Sequence, residues 1–392
     1  MFRVILGILA SVAVVGVLLV AFARPLDRTI DARANAVASS SPRDPASQAV
    51  ETHRRLWIAD LHCDAAFWDR DLVARSERGH VDLPRLREGN VALQVFSFPN
   101  AYPLASNYRR TPALLDIVGV AALARRWPRS TWYSPVARAR HQASIVYDAA
   151  RESEGRLVVI TGVRDLTGIG AASSNSARTV GAILAVEGLH IARGDVEAVD
   201  DLFASGVRVF GLAHMSDNSV TGSAHGWRKH GLTDFGRRVV ARIDSLGGIV
   251  DLAHASETTV DEVLAMPSVA VMVSHTGVDG TCPGERNLSD HQLAGIAAHD
   301  GVIGIGFWRG AVCGDDAAAI ARAMRHAVGV AGIDAVALGS DFDGAVRTPF
   351  DAAGMVYMTE ALLAEGFDAS EIARIMGLNV LEFFLRSLPP EG

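Results

Sequence analysis

Lysine-rich and arginine-rich blocks are absent from this chain. Its formal net charge of −7 is spread over 392 residues, which excludes a nucleic-acid surface and leaves a small neutral or cationic partner as the better fit. No GxGxxG opens a helix after the first predicted strand, and no GxxxxGK[ST] occurs; dinucleotide binding and phosphate cradling are therefore unsupported. No segment recurs at a fixed spacing, so nothing points to a repeat architecture. Cysteine is scarce: Cys63, Cys282 and Cys313 are the whole complement, which permits one bridge at most. In an oxidising compartment Cys282 with Cys313 is the plausible couple, because Cys63 lies inside a polar cluster, and three free buried thiols are the alternative.

What the chain has in quantity is apolar residue, 49% of the total, ample for a sizeable core. Residues 4–23 are uncharged and almost wholly apolar, long enough at about 1.5 Å per residue to cross a hydrocarbon layer of about 30 Å. Such a segment directs export to a periplasmic or other extracytoplasmic location. Ala21-Phe22-Ala23 has the small-x-small form of a signal-peptidase site, so residues 1–23 read as a cleaved signal peptide or a retained membrane anchor, and the length of the run favours the anchor. Arg24, Arg28 and Arg33 follow it, so counting positive charge does not settle orientation. The Arg/Ala/Ser/Pro-rich stretch 24–50 has no hydrophobic period and predicts a flexible linker.

Over 51–388, short β-branched runs alternate with longer amphipathic stretches. The runs 56–61, 91–98, 182–186, 207–213, 248–252, 269–273, 302–306 and 335–338 predict eight strands, and the windows 232–246, 258–266, 293–298 and 317–332 predict helices between them. Eight βα units in one domain predict an α/β fold, a (β/α)8 TIM-like barrel rather than an open doubly wound sheet. The segment 102–155 is long for one connection and predicts two helices outside the barrel. Its aromatic residues Tyr102, Tyr108, Trp127 and Trp132 would shape the pocket mouth or pack in the core or a dimer contact.

The positions just after the predicted strands are rich in metal-type ligands. Asp60-Leu61-His62-Cys63-Asp64 ends the first strand and puts His62 and Asp64 two positions apart, on one side of an extended chain. Glu187, His214, His254 and His275 end later strands, and Asp341 and Asp343 follow the last. Barrel chemistry occurs at the C-terminal end of the strands, so these side chains converge on one pocket although they are far apart in sequence. Singly, each would pass as a rim histidine or a helix-capping aspartate. Together they exceed the three protein ligands of one catalytic zinc, which predicts two metals with Glu187 as the natural bridge. In such a centre a shared water, made more acidic by the cations, is the nucleophile.

Asp60-Leu61-His62-Cys63-Asp64, Val186-Glu187-Gly188, Leu212-Ala213-His214, Gly231-Leu232-Thr233-Asp234-Phe235-Gly236, Asp251-Leu252-Ala253-His254-Ala255-Ser256, Ser274-His275, Arg286-Asn287-Leu288-Ser289-Asp290 and Gly339-Ser340-Asp341-Phe342-Asp343-Gly344 resemble, in order and spacing, the membrane (renal-type) dipeptidase family, peptidase family M19 of the amidohydrolase superfamily. The resemblance implies a barrel of the metal-dependent hydrolase type, with His62 and Asp64 on one zinc, His254 and His275 on the other, and Glu187 bridging. His214 would not be a ligand; it would reach the substrate carbonyl and stabilise the oxyanion. Arg286 would bind the substrate's C-terminal carboxylate through its planar fork, and Asp341 would move the proton from water to the leaving amine. Asp343 reads as a carboxylate that orients the site or caps a loop, with a direct catalytic part the alternative. Cys63 drops out as a ligand, and Cys282 and Cys313 fall where relatives carry a disulfide. Relatives are often homodimers.

The loop Met215-Ser216-Asp217-Asn218-Ser219-Val220-Thr221-Gly222 departs from the mammalian members and borders the substrate, so side-chain preference does not transfer. The resulting expectation is an exported binuclear zinc dipeptidase acting on free dipeptides and tolerating a D-residue at the C-terminal side. Its rivals are β-lactam or N-acyl amino acid hydrolysis on the same centre, or a membrane-tethered binding protein without chemistry.

Overall fold

The computed structural model describes residues 25–38, 44–170, 179–190 and 194–391; the expected leader or anchor over 1–23 lies outside the described residues. Among the described residues nine parallel strands are present: β1 Ile58–Cys63, β2 Val91–Pro99, β3 Leu157–Val159, β4 Val180–Glu187, β5 Val207–Gly211, β6 Ile249–Asp251, β7 Val271–Thr276, β8 Val302–Ile305 and β9 Val336–Leu338. Eight of them close a barrel in the order β1, β2, β4, β5, β6, β7, β8, β9, with β9 returning to β1 at Asp60 and Leu338. These eight are the strands the sequence predicts, in a (β/α)8 arrangement.

The ninth, β3, is an addition. β4 pairs with β2 over Gly181–Glu187, with β3 over Val180–Ala182 and with β5 over Leu184–Val186. A strand has two edges, so β3 and β5 share one of them in succession while β2 takes the other. Both predicted outer helices of the 102–155 segment are found, at Ile117–Ala124 and Pro135–Glu152. The predicted helices between later strands appear at Asp234–Ser245, Glu257–Leu264, Asp290–Ala298 and Ala317–Ala331.

Alternation along β4 shows how the barrel aims its chemistry. Val180, Ala182, Leu184 and Val186 pack outward against the helices. Ile183 and Ala185 pack inward among Leu61, Val95, Val209, Met272 and Ala337. Continuing that period of two, Glu187 faces the barrel axis at the C-terminal mouth. The same interior cluster takes in Val380, Phe383 and Phe384 of the helix Asn379–Ser387.

The stretch 24–50, expected as a flexible linker, behaves differently in its described part. Residues 25–34 are helical and the segment is held to the barrel by ions rather than by a hydrophobic stripe, which is why its composition hides it. Arg125 grips both carboxylate oxygens of Asp27, at 2.7 and 3.0 Å. Asp31, 2% exposed, lies 3.5 Å from Arg70, whose other nitrogen is 2.9 Å from Asp343. Asn35 accepts from the Ala345 amide at 2.9 Å, and the Ala38 amide donates to the Thr348 carbonyl at 2.7 Å. Residues 25–38 are therefore a strap across the loop that follows β9.

His53, on the helix Ser47–His53, is buried beside Thr359, with Nδ1 2.9 Å from the hydroxyl. Burial lowers its pKa from 6.5 to about 4. The folded state thus keeps the ring neutral where the unfolded chain protonates it, so the stability this group contributes is complete above pH 6.5 and is lost as pH falls toward 4. The loss amounts to about 3 kcal/mol at most. Urea unfolding at pH 7 and pH 4.5 measures it, and His53→Gln should flatten the dependence over that window.

Candidate metal centre

Three of the converging side chains meet at one oxygen. Glu187 Oε1 lies 3.1 Å from His254 Nε2, 3.6 Å from His275 Nε2 and 3.7 Å from His62 Nε2. His62 Nε2 is also 3.4 Å from Asp64 and 3.9 Å from Asp341. The ligand-type atoms fall into three groups each spanning less than 4.8 Å: His62, Glu187 and His275; Glu187, His214 and His254; His62, Asp64 and Asp341. All are buried, and the structure thus brings together every predicted ligand. His254, Asp341 and Asp343 have φ of 62, 59 and 65°, a left-handed backbone that non-glycine residues adopt at a cost and that clusters at functional sites.

The histidine tautomers follow from their outer partners. Ser274 Oγ donates to Asp251 Oδ2 at 2.5 Å, so its lone pairs are left to accept from His62 Nδ1 at 3.2 Å and His275 Nδ1 at 2.9 Å. One hydroxyl thereby turns the Nε2 atoms of two histidines inward. His254 is served by a residue that sequence reasoning missed: His225, whose Nε2 is 3.1 Å from His254 Nδ1. Burial, with the Arg286 charge, lowers His225 to about 3, which keeps it neutral and able to accept. His225 lies in mid-loop, away from any strand end, so only its place eleven residues after His214 could have drawn notice.

A cation fits this donor set. Among the described residues His62 Nε2 and Asp64 Oδ1 are buried without a hydrogen-bond partner, a costly state for polar atoms unless something binds them. The charge balance agrees. Burial lowers His254 and His275 well below the usual imidazole range, Arg286 and neighbouring rings adding to it. Burial and the Glu187 carboxylate push Asp64 up to about 7. Burial acts against a charged His62, but Asp64, Glu187 and Asp341 outweigh it and hold the ring at about 10. Three crowded carboxylates beside two rings that burial keeps neutral, with His62 drawing a proton in their field, form a centre short of positive charge, as dication sites are. Imidazole nitrogen with carboxylate oxygen is the donor chemistry of zinc.

The remaining predicted residues border the centre. His214 Nδ1 lies 3.2 Å from the Ala101 carbonyl and its Nε2 3.4 Å from Glu187 Oε2. Arg286 is buried, donates to the His275 carbonyl at 2.8 Å and lies over the Trp308 ring at 5.6 Å. Beside them runs a cavity of about 540 Å³ lined by His254, Thr276, Arg286 and Lys229, a size that small-molecule sites favour. Tyr108, from the segment before the first outer helix, closes over the centre, accepting from Trp308 Nε1 at 3.0 Å and meeting the His225 ring edge-on at 5.2 Å.

Two further expectations concern positions around the centre. Asp343 touches no ligand: it accepts from the His80 and Val81 amides at 2.7 and 3.1 Å and pairs with Arg70, so it shapes the loop that carries Asp341. Cys282 and Cys313 are disulfide-bonded, tying the loop of Arg286 to that of Trp308, and Cys63 is a free buried thiol. Asp60 accepts from the Ser340 amide and hydroxyl, each at 2.7 Å, and so fixes the residue before Asp341.

Ser274→Ala should leave the fold intact while lowering metal affinity by about 10- to 100-fold, the usual effect of removing a partner that orients a ligand. Competition with a calibrated chelator reads the change.

A closed parallel barrel whose C-terminal mouth gathers imidazoles and carboxylates around one glutamate is that of a metal-dependent hydrolase. The family model described as membrane dipeptidase, peptidase family M19, matches residues 46–386, and the chain belongs to that family. It is a metallo-dipeptidase by that membership. A curated relative, dipeptidase aclJ of Aspergillus oryzae, is 28% identical over 348 residues, covering 83% of this chain and 77% of that protein. Two solved structures share the fold. A metallopeptidase from Rhodobacter sphaeroides, liganded with a phosphinate mimic of the dipeptide L-Ala-D-Ala, has a TM-score of 0.70 at 23% identity, covering 85% of this chain and 99% of its own. The probable dipeptidase PvdM from Pseudomonas aeruginosa has a TM-score of 0.72 at 17% identity, covering 87% and 98%.

Proposed function

We propose that the protein is a binuclear zinc dipeptidase that hydrolyses free dipeptides and accepts a D-residue on the C-terminal side. The observation that carries the reading is the convergence of His62, His254 and His275 on Glu187 Oε1, within 3.7 Å. His62 and Asp64 would hold one zinc, His254 and His275 the other, with Glu187 between. Bound zinc supplies Lewis acidity and a water of lowered pKa. The phosphinate mimic in the Rhodobacter protein supports the choice of an L,D substrate.

The chain's own groups do the rest. Arg286 takes the substrate carboxylate, and that remote contact positions the scissile bond. Because the Ala101 carbonyl accepts the Nδ1 proton, His214 donates from Nε2 only as the doubly protonated ring. Burial lowers its pKa and disfavours that ring, and an oxyanion beside Nε2 is the charge that would favour it, so the contact strengthens as the carbonyl is attacked. Asp341 moves the proton to the departing amine.

Kinetics on L,L and L,D dipeptides, carbapenems and N-acyl amino acids, with zinc counted per chain, test the proposal. Two zinc equivalents and preferred turnover of dipeptides are expected, and a dipeptide amide should lose most of its kcat/KM because Arg286 has no carboxylate to hold. Preferred turnover of the N-acyl or carbapenem substrates would refute the reading.

A further inference from the structure

Exposed apolar side chains of a soluble barrel are commonly scattered, but here six of them gather on one segment. Leu104, Leu114, Leu115, Ile117, Val120 and Leu123 are 51, 59, 63, 37, 53 and 46% exposed. Backbone bonds make them contiguous: the Leu104 amide donates to the Leu115 carbonyl at 2.8 Å and the Ile117 amide to the Tyr102 carbonyl at 2.9 Å. The helix Ile117–Ala124 reads Ile-Val-Gly-Val-Ala-Ala-Leu-Ala, with Val118, Gly119 and Ala122 buried on the protein side. It is thus apolar on both faces, the pattern of a helix with apolar surroundings on every side.

The place where the N-terminal segment arrives says what those surroundings are. Residues 4–23 are the uncharged, apolar run read from the sequence as a cleaved leader or a retained anchor, its length favouring the anchor. The described chain begins at residue 25, and Asp27 is clamped at 2.7 Å to Arg125, the residue that ends the apolar helix. Leu26 and Ile30, one helical turn apart, are 60 and 49% exposed there. Exposed arginines, Arg28, Arg33, Arg126 and Arg129, fringe the same region of a chain whose net charge is −7. An apolar face with a cationic border is the arrangement that settles into the headgroup boundary of an anionic bilayer. No described helix is long and apolar enough to cross a membrane, which agrees with a helix lying on the surface.

We propose that this face, Leu104 with 114–123 and the adjoining turn of Leu26 and Ile30, rests in the lipid interface, so that the enzyme sits on the membrane with its Tyr108 side near the bilayer. The reading is independent of the catalytic assignment. It is tested on the full chain in vesicles of phosphatidylethanolamine with a minor share of phosphatidylglycerol, carrying a spin label at Leu115→Cys, Val120→Cys or, as a control at the opposite end of the barrel, Ser245→Cys. The native free thiol, Cys63, is buried. Labels at 115 and 120 should gain accessibility to oxygen and lose accessibility to a nickel chelate, relative to 245. Unchanged nickel accessibility would overturn the proposal. Dipolar broadening between labels without a gain in oxygen accessibility would overturn it too, by showing that a second copy covers the face. Retained dipeptide turnover in each labelled protein shows that the fold survives.

Discussion

Asp341→Asn should lower kcat by about 10²- to 10⁴-fold, the range in which positioned proton transfer contributes. Asp341 is buried, with its Oδ1 3.9 Å from His62 Nε2. Burial pushes its carboxyl well above the usual range; His62 and Arg286 act against that, and the like charges of Asp64 and Glu187 add to it. A carboxyl with raised proton affinity is suited to hold a proton between its release by water and its delivery to an amine. Asparagine keeps the shape and removes that capacity, so KM should move little. The measurement is steady-state turnover of one dipeptide alongside the zinc content of the variant. Full metal with an unchanged kcat would remove Asp341 from its assigned role.

Glu187→Ala should abolish turnover together with metal binding. Its Oε1 is the point from which all three inward Nε2 atoms are measured, and its loss leaves His62 and His254 without their shared partner. The same centre links metal to stability. A ligand at a thousandfold over its dissociation constant adds about 4 kcal/mol to unfolding, so chelation of the native protein should lower its melting temperature and excess zinc should restore it. In Glu187→Ala, calorimetry should show a midpoint that responds little to chelator. A wild-type midpoint indifferent to chelator would mean that the histidines are only packed, without a cation.

Much of this centre is legible in the sequence because ligand chemistry restricts residue type and the barrel restricts place. His62, Asp64, Glu187, His254 and His275 each follow a β-branched run, and a parallel barrel brings such positions to one mouth. What is not legible follows other rules. The added strand Leu157–Val159 is as short as two strands that are legible, but it is followed by Ile160-Thr161-Gly162, with no metal-type side chain to mark its end. His225 works from inside a loop, and Ser274 shows its part only when two distant rings are seen to share its oxygen. The strap over 25–38 escapes because paired charges such as Asp31 and Arg70 hold it, and charges in an arginine-rich stretch look like solubility until their partners are known.

That strap sets a limit on how the enzyme can be cut free. Asp31 meets Arg70, Arg70 meets Asp343, and Asp343 shapes the turn that presents Asp341. A fragment begun near Ala49, just inside the family match that starts at residue 46, would keep every ligand and every proton-handling group yet leave a buried guanidinium with one counter-charge in place of two. The peptide leading away from the apolar N-terminal run thus also braces the turn of Asp341, and a fragment begun before Asp27 keeps that brace whole.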